Sequence, residues 1–232
     1  MIHGFNLARY QNSVEVNNRF QAEGNGLLIG NSKALWKPFL HWLSKDSSHL
    51  QRRNPLDDYV EELIDSLFSN QKGVLEIRYS HRPQPDHIGF VKLAHQCGLA
   101  WQNKTGLCIH EEFGPWIALR CALVLSPELY VSLFDTAQES VDDKAHGFEK
   151  VMEFKPMESN PCSSCESKCF MAFESAMRKS EAGQGNFLDW LLIRESCPLG
   201  SEERYSKFQT LYHYTKDPEF LVAALQKYAS QS

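Results

Sequence analysis

Long apolar runs, basic clusters and internal repeats are all missing from this sequence of 232 residues. No stretch approaches the roughly 18 consecutive apolar residues of a membrane span. The start, Met1-Ile-His-Gly-Phe-Asn6, lacks both the charged residues and the apolar run of a secretion signal. We therefore predict a cytoplasmic protein with no membrane partner.

The chain has no excess of basic residues. Its formal net charge is -5, and Lys and Arg do not gather into a stripe along any part of the sequence. Proteins that bind nucleic acids usually carry such a stripe because they neutralise phosphates. We expect no nucleic-acid partner, and the 42% of hydrophobic residues is enough for an ordinary globular core.

Strand-like runs and amphipathic helices mix along the first half, which predicts an α+β or α/β fold. Strands are predicted at 26–30 and 74–79, and helices at 31–43, at 55–67 and at 88–98, the last ended by Gly98. Two further strands, 106–110 and 116–125, are predicted to pair as a hairpin across the turn at Gly114-Pro115. That hairpin would place His110 at a strand end.

Together with the first half, the pattern of the second half predicts that the chain has three parts. Residues 1–131 form the core, residues 132–200 form a small cysteine-containing insertion or cap, and residues 201–232 supply helices that pack on the core. Two helices are predicted on either side of Gly183-Gln-Gly185, and two more at 202–214 and 218–228.

Four of the seven cysteines have the spacing of metal ligands: Cys162, Cys165, Cys169 and the distant Cys197, which precedes a proline. Structural zinc usually shows two short ligand pairs, whereas three close cysteines plus a remote Cys-Pro are nearer to a ferredoxin-type arrangement. We therefore predict a single [4Fe-4S] cluster, with zinc as the alternative. The remaining cysteines, Cys97, Cys108 and Cys121, lie in apolar contexts and are predicted as small core residues.

Three motifs carry a resemblance to a known family: Gly98-Leu-Ala-Trp101, Gly106-Leu-Cys-Ile-His110 and Phe113-Gly-Pro-Trp116-Ile-Ala-Leu-Arg120. They resemble the CblC-type cobalamin-processing proteins. Weaker matches follow in the same order from end to end, at Gly4-Phe5, Lys37-Pro-Phe-Leu40, His81-Arg-Pro83, Glu203-Arg-Tyr-Ser206 and Tyr214-Thr215. The resemblance implies an α+β, nitroreductase-like sheet flanked by helices with a cap, and the binding of base-off cobalamin.

The same region is similar to epoxyqueuosine reductase, a corrinoid and iron-sulfur enzyme. Its Gly-Leu-Gly-Trp and Gly-Ser-Trp stretches correspond to Gly98-Leu-Ala-Trp101 and Gly114-Pro-Trp116 here. Cys108 and His110 favour the cobalamin processors, while the four spaced cysteines favour the reductase. The chain thus has features of both families.

The resemblance suggests a corrinoid pocket built by Trp101, His110, Phe113, Gly114 and Trp116. We place His110 near the corrin or its displaced tail and not on cobalt, because a strong axial nitrogen donor would oppose reduction of the metal. A lone histidine at a strand end is more often structural, and aromatic residues in a hairpin are core residues at least as often as ligand walls.

Arg194 and Arg204 are candidates for pairing with an anion, either a carboxylate of glutathione or a corrinoid phosphate. A solvated helix face is the equal alternative for both arginines. FMN and glutathione are further candidate cofactors, and a homodimer is a candidate assembly.

These features together predict a corrinoid oxidoreductase that removes the upper ligand of cobalamin or reduces its cobalt. Electrons would come from a protein or thiol donor through the [4Fe-4S] cluster. Two alternatives stay open: a corrinoid-dependent reductase of a small organic or modified-nucleoside substrate, and a non-catalytic cobalamin chaperone or flavin-binding protein with structural zinc.

Overall fold

A computed structural model describes residues 1–68, 71–83, 88–139, 157, 159–163, 165 and 168–230. Within them, contacts divide the chain into two compact units. We call the first the sheet unit; it comprises Met1–Asn31, Asp65–Gln102 and Ala118–Asn160. We call the second the helical unit; it comprises Ser32–Ile64, Asn103–Ile117 and Pro161–Ser232.

The strands, in chain order, are β1 (Ile2–Phe5), β2 (Asn25–Asn31), β3 (Val74–Tyr79), β4 (Trp101–Gln102), β5 (Cys108–Ile109) and β6 (Ala118–Leu125). The helices are α1 (Leu7–Gln11), α2 (Trp36–Lys45), α3 (Pro55–Phe68), α4 (Phe90–Cys97), α5 (Pro127–Glu139), α6 (Lys168–Glu181), α7 (Phe187–Glu195), α8 (Lys207–Thr215) and α9 (Glu219–Ala229). Short 3₁₀ turns occur at Val16–Asn18, Lys33–Leu35, Ser47–Gln51 and Ser201–Glu203.

The sheet unit is built on a four-stranded antiparallel sheet in the order β1-β2-β6-β3. The central strand β6 is fully buried from Cys121 to Leu125, as expected of a strand with a neighbour on each side. One buried ion pair in this unit is well matched: Arg78 Nε donates to Glu76 Oε1 at 2.5 Å. The other carboxylate oxygen of Glu76 accepts from the backbone N–H groups of Gln21 and Ala22. This ion pair therefore ties β3 to the loop at 21–22.

The helical unit has a core between α2, the start of α3, α8 and α9. Its buried members are Phe39, Leu40, Leu43, Leu56, Tyr212, Leu221 and Ala224. On α2 and α9 these residues recur at the three- and four-residue spacing of one helix face. The C-terminal helices thus pack on α2 through a continuous apolar stripe.

The α+β fold with a small antiparallel sheet flanked by helices confirms the predicted class at this level. The strand at 74–79 is found with its predicted bounds, and Pro55 begins α3 as predicted. Gly98 ends α4 in the left-handed conformation, with φ of 83°. Ser32 caps the following 3₁₀ turn by accepting from the Ala34 N–H, which supports the predicted start there.

The predicted hairpin between 106–110 and 116–125 is wrong. The later strand, β6, pairs with β2 and β3. The earlier strand is shortened to the two residues of β5. A strand as apolar as β6 gains more by lying between two long strands than beside a two-residue strand. His110 still follows a strand end directly, because β5 ends at Ile109.

The three cysteines predicted as core residues lie in or near the core of the sheet and helical units. Cys108 and Cys121 are buried, as predicted for small core residues, and Cys97 is half-buried. In the described part of the chain, none of the helices has both the length and the apolar character needed to cross a bilayer. The predicted insertion covers residues 132–200, and most of its first part, 132–160, lies outside the described residues. The three-part division stays a prediction.

Candidate functional site

Asn103 organises the turn that precedes β5 in the helical unit. Its Oδ1 accepts from the backbone N–H groups of Thr105 and Leu107 at 3.0 and 3.1 Å, and from the Thr105 hydroxyl at 2.7 Å. Gly106 takes the left-handed conformation that the turn requires, with φ of 80°. The Asn103 Nδ2 group is aimed at Cys169 Sγ, 3.7 Å away. One side chain therefore both shapes the turn and contacts a predicted metal ligand.

His110 closes the next turn. Its backbone exchanges two hydrogen bonds with Gly114, at 2.9 and 3.0 Å. Its ring Nδ1 accepts from the N–H groups of Glu112 and Phe113, at 3.1 and 3.3 Å. A neutral imidazole that accepts at Nδ1 carries its proton on Nε2. In this tautomer Nε2 is a hydrogen-bond donor.

Gly114 and Gly200 bring two backbone segments into direct contact. Both glycines have positive φ, 54° and 64°. A Cβ on Gly114 would lie 2.1 Å from the carbonyl oxygen of Leu199, and a Cβ on Gly200 would lie 2.3 Å from the backbone of Phe113. The requirement for glycine at 114 is therefore explained by close packing of the chain, whatever further role the residue has in a pocket.

Trp116 is the largest fully buried side chain of this segment, with 1% of its surface exposed. Its indole meets the ring of Tyr205 edge to face, with centroids 5.4 Å apart, and packs with Leu191 and Tyr214. The indole Nε1 is buried and has no hydrogen-bond partner among the described residues. Leaving such a donor unpaired costs about 1–3 kcal/mol, so the position favours a bound acceptor.

Arg194 lies beside the same aromatic cluster, in the last turn of α7. Its Nη1 is also buried and without a partner in the described residues. Burial raises the pKa of the Tyr214 hydroxyl, while the positive charge of Arg194 acts in the opposite direction. Two unpaired buried donors, one cationic, thus border Tyr214.

The other predicted pocket residues have different surroundings. Arg204 is exposed and donates through Nη2 to the Glu195 carbonyl oxygen at 2.9 Å, so it caps the end of α7. Phe113 is half-buried, with its ring centroid 4.8 Å from that of His110. Trp101 belongs to the sheet unit, where it meets His95 edge to face at 4.7 Å.

The four spaced cysteines lie within electrostatic reach of one another in the helical unit. Burial raises the pKa of the Cys197 thiol to about 11, and Cys169, Cys162 and Cys165 add to that rise. The pKa of Cys162 is raised by burial and then by Cys169 and Cys165. Such mutual effects require the sulfur atoms to be neighbours.

Apolar side chains surround this thiol group on one side. Cys169 packs in a cluster with Ala176 and Ile193, and Leu107 and Phe173 lie against it. Thiolate donors in such a pocket suit a soft metal or an iron-sulfur cluster. However, the residues that the structure describes include no group of three or more His, Cys, Asp or Glu already placed as metal ligands. The donor chemistry fits, and binding would require the sulfurs to draw closer together.

Sequence reasoning missed several residues of this region. Asn103 could have been found from Asn-Lys-Thr-Gly, a turn signal just before β5. Tyr205 and Tyr214 stand in motifs that carried the family resemblance, but they were not predicted as site residues. No local sequence pattern signals the contact between Gly114 and Leu199, because these residues are 85 positions apart in the sequence.

Comparison with known proteins shows the fold of this chain. No family model matches the chain, and no curated protein matches it. A solved structure does match: the chain has the fold of a CblC-type protein, an α+β arrangement with a small antiparallel sheet.

The matching structure is the crystal structure of a C. elegans B12-trafficking protein CblC, described as a human MMACHC homologue. The match covers 95% of this chain and 88% of the other, with a TM-score of 0.61 and 16% sequence identity. At this identity the likeness concerns the fold. The comparisons lend no support to the resemblance to epoxyqueuosine reductase.

Proposed function

We propose that this protein binds cobalamin in the base-off state and takes part in its processing, by removing the upper ligand or by reducing cobalt. The observation that carries the proposal is the likeness of fold, over 95% of the chain, to the B12-trafficking protein CblC. The motifs around His110 and Trp116, read from the sequence alone, point to the same ligand.

The unpaired donors in the helical unit support a ligand of this kind. Cobalamin presents amide side chains and a phosphate, which accept hydrogen bonds. The Trp116 Nε1–H would donate to a neutral acceptor. Arg194 would pair with an anionic oxygen, either the corrinoid phosphate or a glutathione carboxylate, because guanidinium suits planar or tetrahedral oxyanions.

His110 contributes a donor, and not a cobalt ligand, in this proposal. Its Nδ1 is engaged by two backbone N–H groups. Moving the proton to Nδ1 would lose both hydrogen bonds. His110 would therefore orient the corrin edge or the displaced tail, with Phe113 and Gly114 of the same unit as further contacts.

We further propose that Cys162, Cys165, Cys169 and Cys197 hold a single [4Fe-4S] cluster. Such a cluster supplies one-electron transfer, and the electrons would come from a donor protein or thiol. The Asn103 amide would stabilise negative charge on Cys169 sulfur, because hydrogen bonds to the ligating sulfurs influence cluster potential. Structural zinc at the same four residues is the competing assignment.

Equilibrium dialysis against hydroxocobalamin tests the ligand proposal. The wild-type protein should retain cobalamin near one equivalent, and Arg194→Gln should weaken retention by roughly tenfold, the loss of one charge-assisted hydrogen bond. Arg53→Gln, an exposed arginine in the loop before α3, serves as the matched control and should bind like wild type. Failure of the wild-type protein to retain any corrinoid would reject the proposal.

A further inference from the structure

A cavity lies in the helical unit, and its lining includes neither Trp116 nor Arg194 nor any of the four spaced cysteines. Helices α2, α8 and α9 enclose about 820 Å³ between them. This volume is within the range of about 300–1,000 Å³ that is usual for sites of small organic molecules. The cavity therefore has the dimensions of a binding site.

The floor of the cavity is apolar and held by the core below it. Leu40 and Ala224 are 5% and 3% exposed, and both belong to the main core of the unit. The Trp36 indole is fixed by rings on two sides, with centroids 5.4 Å from Phe39 and 6.1 Å from Tyr212. A hydrocarbon body would thus meet a preformed surface.

The rim of the cavity is cationic. Lys37, Lys207 and Lys227 line it, and all three side chains are exposed. None of them makes an ion pair with any residue that the structure describes. Among those residues, no acidic side chain lines the cavity. Three unpaired ammonium groups around one opening stand out in a chain of net charge -5.

The start of α8 adds to this positive character. Ser206 lines the cavity and caps the helix by accepting from the Gln209 N–H. The first turn of α8 contains no acidic residue, so its positive end is not neutralised locally. An anionic head group at the rim would face both the lysines and this helix end.

We propose that this cavity binds an amphiphilic acid, with a hydrocarbon body on the Trp36 and Leu40 floor and a carboxylate or phosphate head among the three lysines. Charge complementarity favours an anion over a neutral or cationic amphiphile. The volume of about 820 Å³ suits a small molecule better than a protein segment. The site is independent of the cobalamin proposal, since none of its lining residues is assigned to the corrinoid or to a metal.

Isothermal titration calorimetry, performed without cobalamin and below micelle-forming concentrations, tests this site with three probes. Dodecanoate and dodecyl phosphate should bind, and the stronger of the two identifies the preferred head group. Dodecyltrimethylammonium has the same chain and the opposite charge, and it should bind at least about tenfold more weakly.

Variants locate the binding. Lys37→Gln combined with Lys227→Gln should weaken dodecanoate binding by roughly tenfold or more. Lys45→Gln, on the same α2 but outside the cavity, should bind like wild type. Both variants change exposed side chains only, and circular dichroism checks that they fold.

Three results of the binding measurements would overturn the proposal. These are no binding of either acid to the wild-type protein, equal binding of the cationic probe, and unchanged binding in the double lysine variant. Sedimentation over a range of protein concentrations completes the test. A dimer that dissociates in the double lysine variant would assign the cavity to a second copy of this chain, and thereby also overturn it.

Discussion

Two buried cysteines show how the two units differ. Cys121 lies in β6 of the sheet unit, where burial raises the pKa of its thiol to about 12. Cys197 lies in the helical unit, where burial raises the pKa to about 11 and three other thiols contribute. Burial is thus common to a core cysteine and a candidate ligand. Only the neighbouring thiols separate them.

Two arginines show a second contrast, between a paired and an unpaired buried cation. Arg78 in the sheet unit is 6% exposed and has its partner, Glu76, at 2.5 Å. Arg194 in the helical unit has a buried Nη1 that no described residue accepts from. A paired buried cation stabilises its own fold, whereas an unpaired buried donor is available to a ligand or a water molecule. Arg19 in the sheet unit also has a buried nitrogen, Nε, without a partner among the described residues, so the contrast is between individual residues and not between the units.

The largest expected effect is on bound metal. Cys165→Ala should reduce the metal content of anaerobically reconstituted protein to well under half of the wild-type value, because one of four ligands is lost. Cys121→Ala, a buried cysteine without thiol neighbours, should leave the metal content unchanged. Elemental analysis with assay of acid-labile sulfide measures both variants.

Metal analysis also separates the two assignments of the four cysteines. Iron with an equal amount of sulfide supports the [4Fe-4S] proposal. One equivalent of zinc without sulfide supports a structural site. Equal metal loss in Cys121→Ala and Cys165→Ala would remove the distinction between the two kinds of cysteine.

Gly114→Ala should cause the next largest effect, on the free energy of unfolding. The new Cβ would collide with the Leu199 carbonyl oxygen, and we expect a loss of roughly 3 kcal/mol or more. Gly106→Ala is the matched control in the same segment. Its Cβ would meet nothing within 4 Å, and only the positive φ costs about 1–2 kcal/mol.

Urea denaturation measures both glycine variants. Equal losses would show that backbone conformation, and not contact between the segments at 114 and 199, sets the requirement for glycine. A larger loss in Gly106→Ala would contradict the packing described for Gly114.

A smaller effect is expected on the pH dependence of stability. The Cys121 thiol is protonated in the folded state up to pH about 12, while its ordinary pKa is 9.0. The unfolded chain therefore releases this proton first, and stability should fall as pH rises from about 9 towards 12. Cys121→Ala should show a shallower fall than wild type when urea midpoints are compared at pH 8 and 10.5. Parallel pH profiles would mean that this thiol is not held protonated by the sheet.

The smallest effect on stability is expected for Trp116→Phe. Loss of packing and removal of an unpaired donor should largely cancel, leaving the free energy of unfolding within about 1 kcal/mol of wild type. Cobalamin binding should nevertheless weaken. Trp42→Phe is the control for the same substitution at a tryptophan whose indole N–H is paired, because the Trp42 indole donates to Glu62 at 2.9 Å. A large loss of stability with intact binding would make Trp116 a purely structural residue.

Local sequence signals predicted much of the fold. Apolar periodicity and caps predicted β3, the start of α3 and the end of α4 at Gly98. The helix α5 was not predicted, although Ser126-Pro127-Glu128 is a helix-start signal. In the structure Ser126 caps this helix, because its Oγ accepts from the Leu129 N–H. The pairing of β6 was mistaken because strand partners depend on segments far apart in sequence.

The candidate site was predictable to a smaller extent. Cysteine spacing selected four residues that lie within electrostatic reach in the structure. The sequence could not show that Trp116 and Arg194 each keep an unpaired donor, or that Asn103 contacts Cys169. Those features depend on the packing of α6 and α7 against residues 103–117, which no local pattern contains.

The absorption spectrum of hydroxocobalamin mixed with an equal amount of the protein, recorded without oxygen, tests the central claim most directly. We expect a base-off spectrum. An excess of a corrinoid that lacks the nucleotide base should abolish this spectrum only if that corrinoid binds to the protein as well. A spectrum identical to that of free hydroxocobalamin, at protein concentrations where the chain is folded, would contradict it.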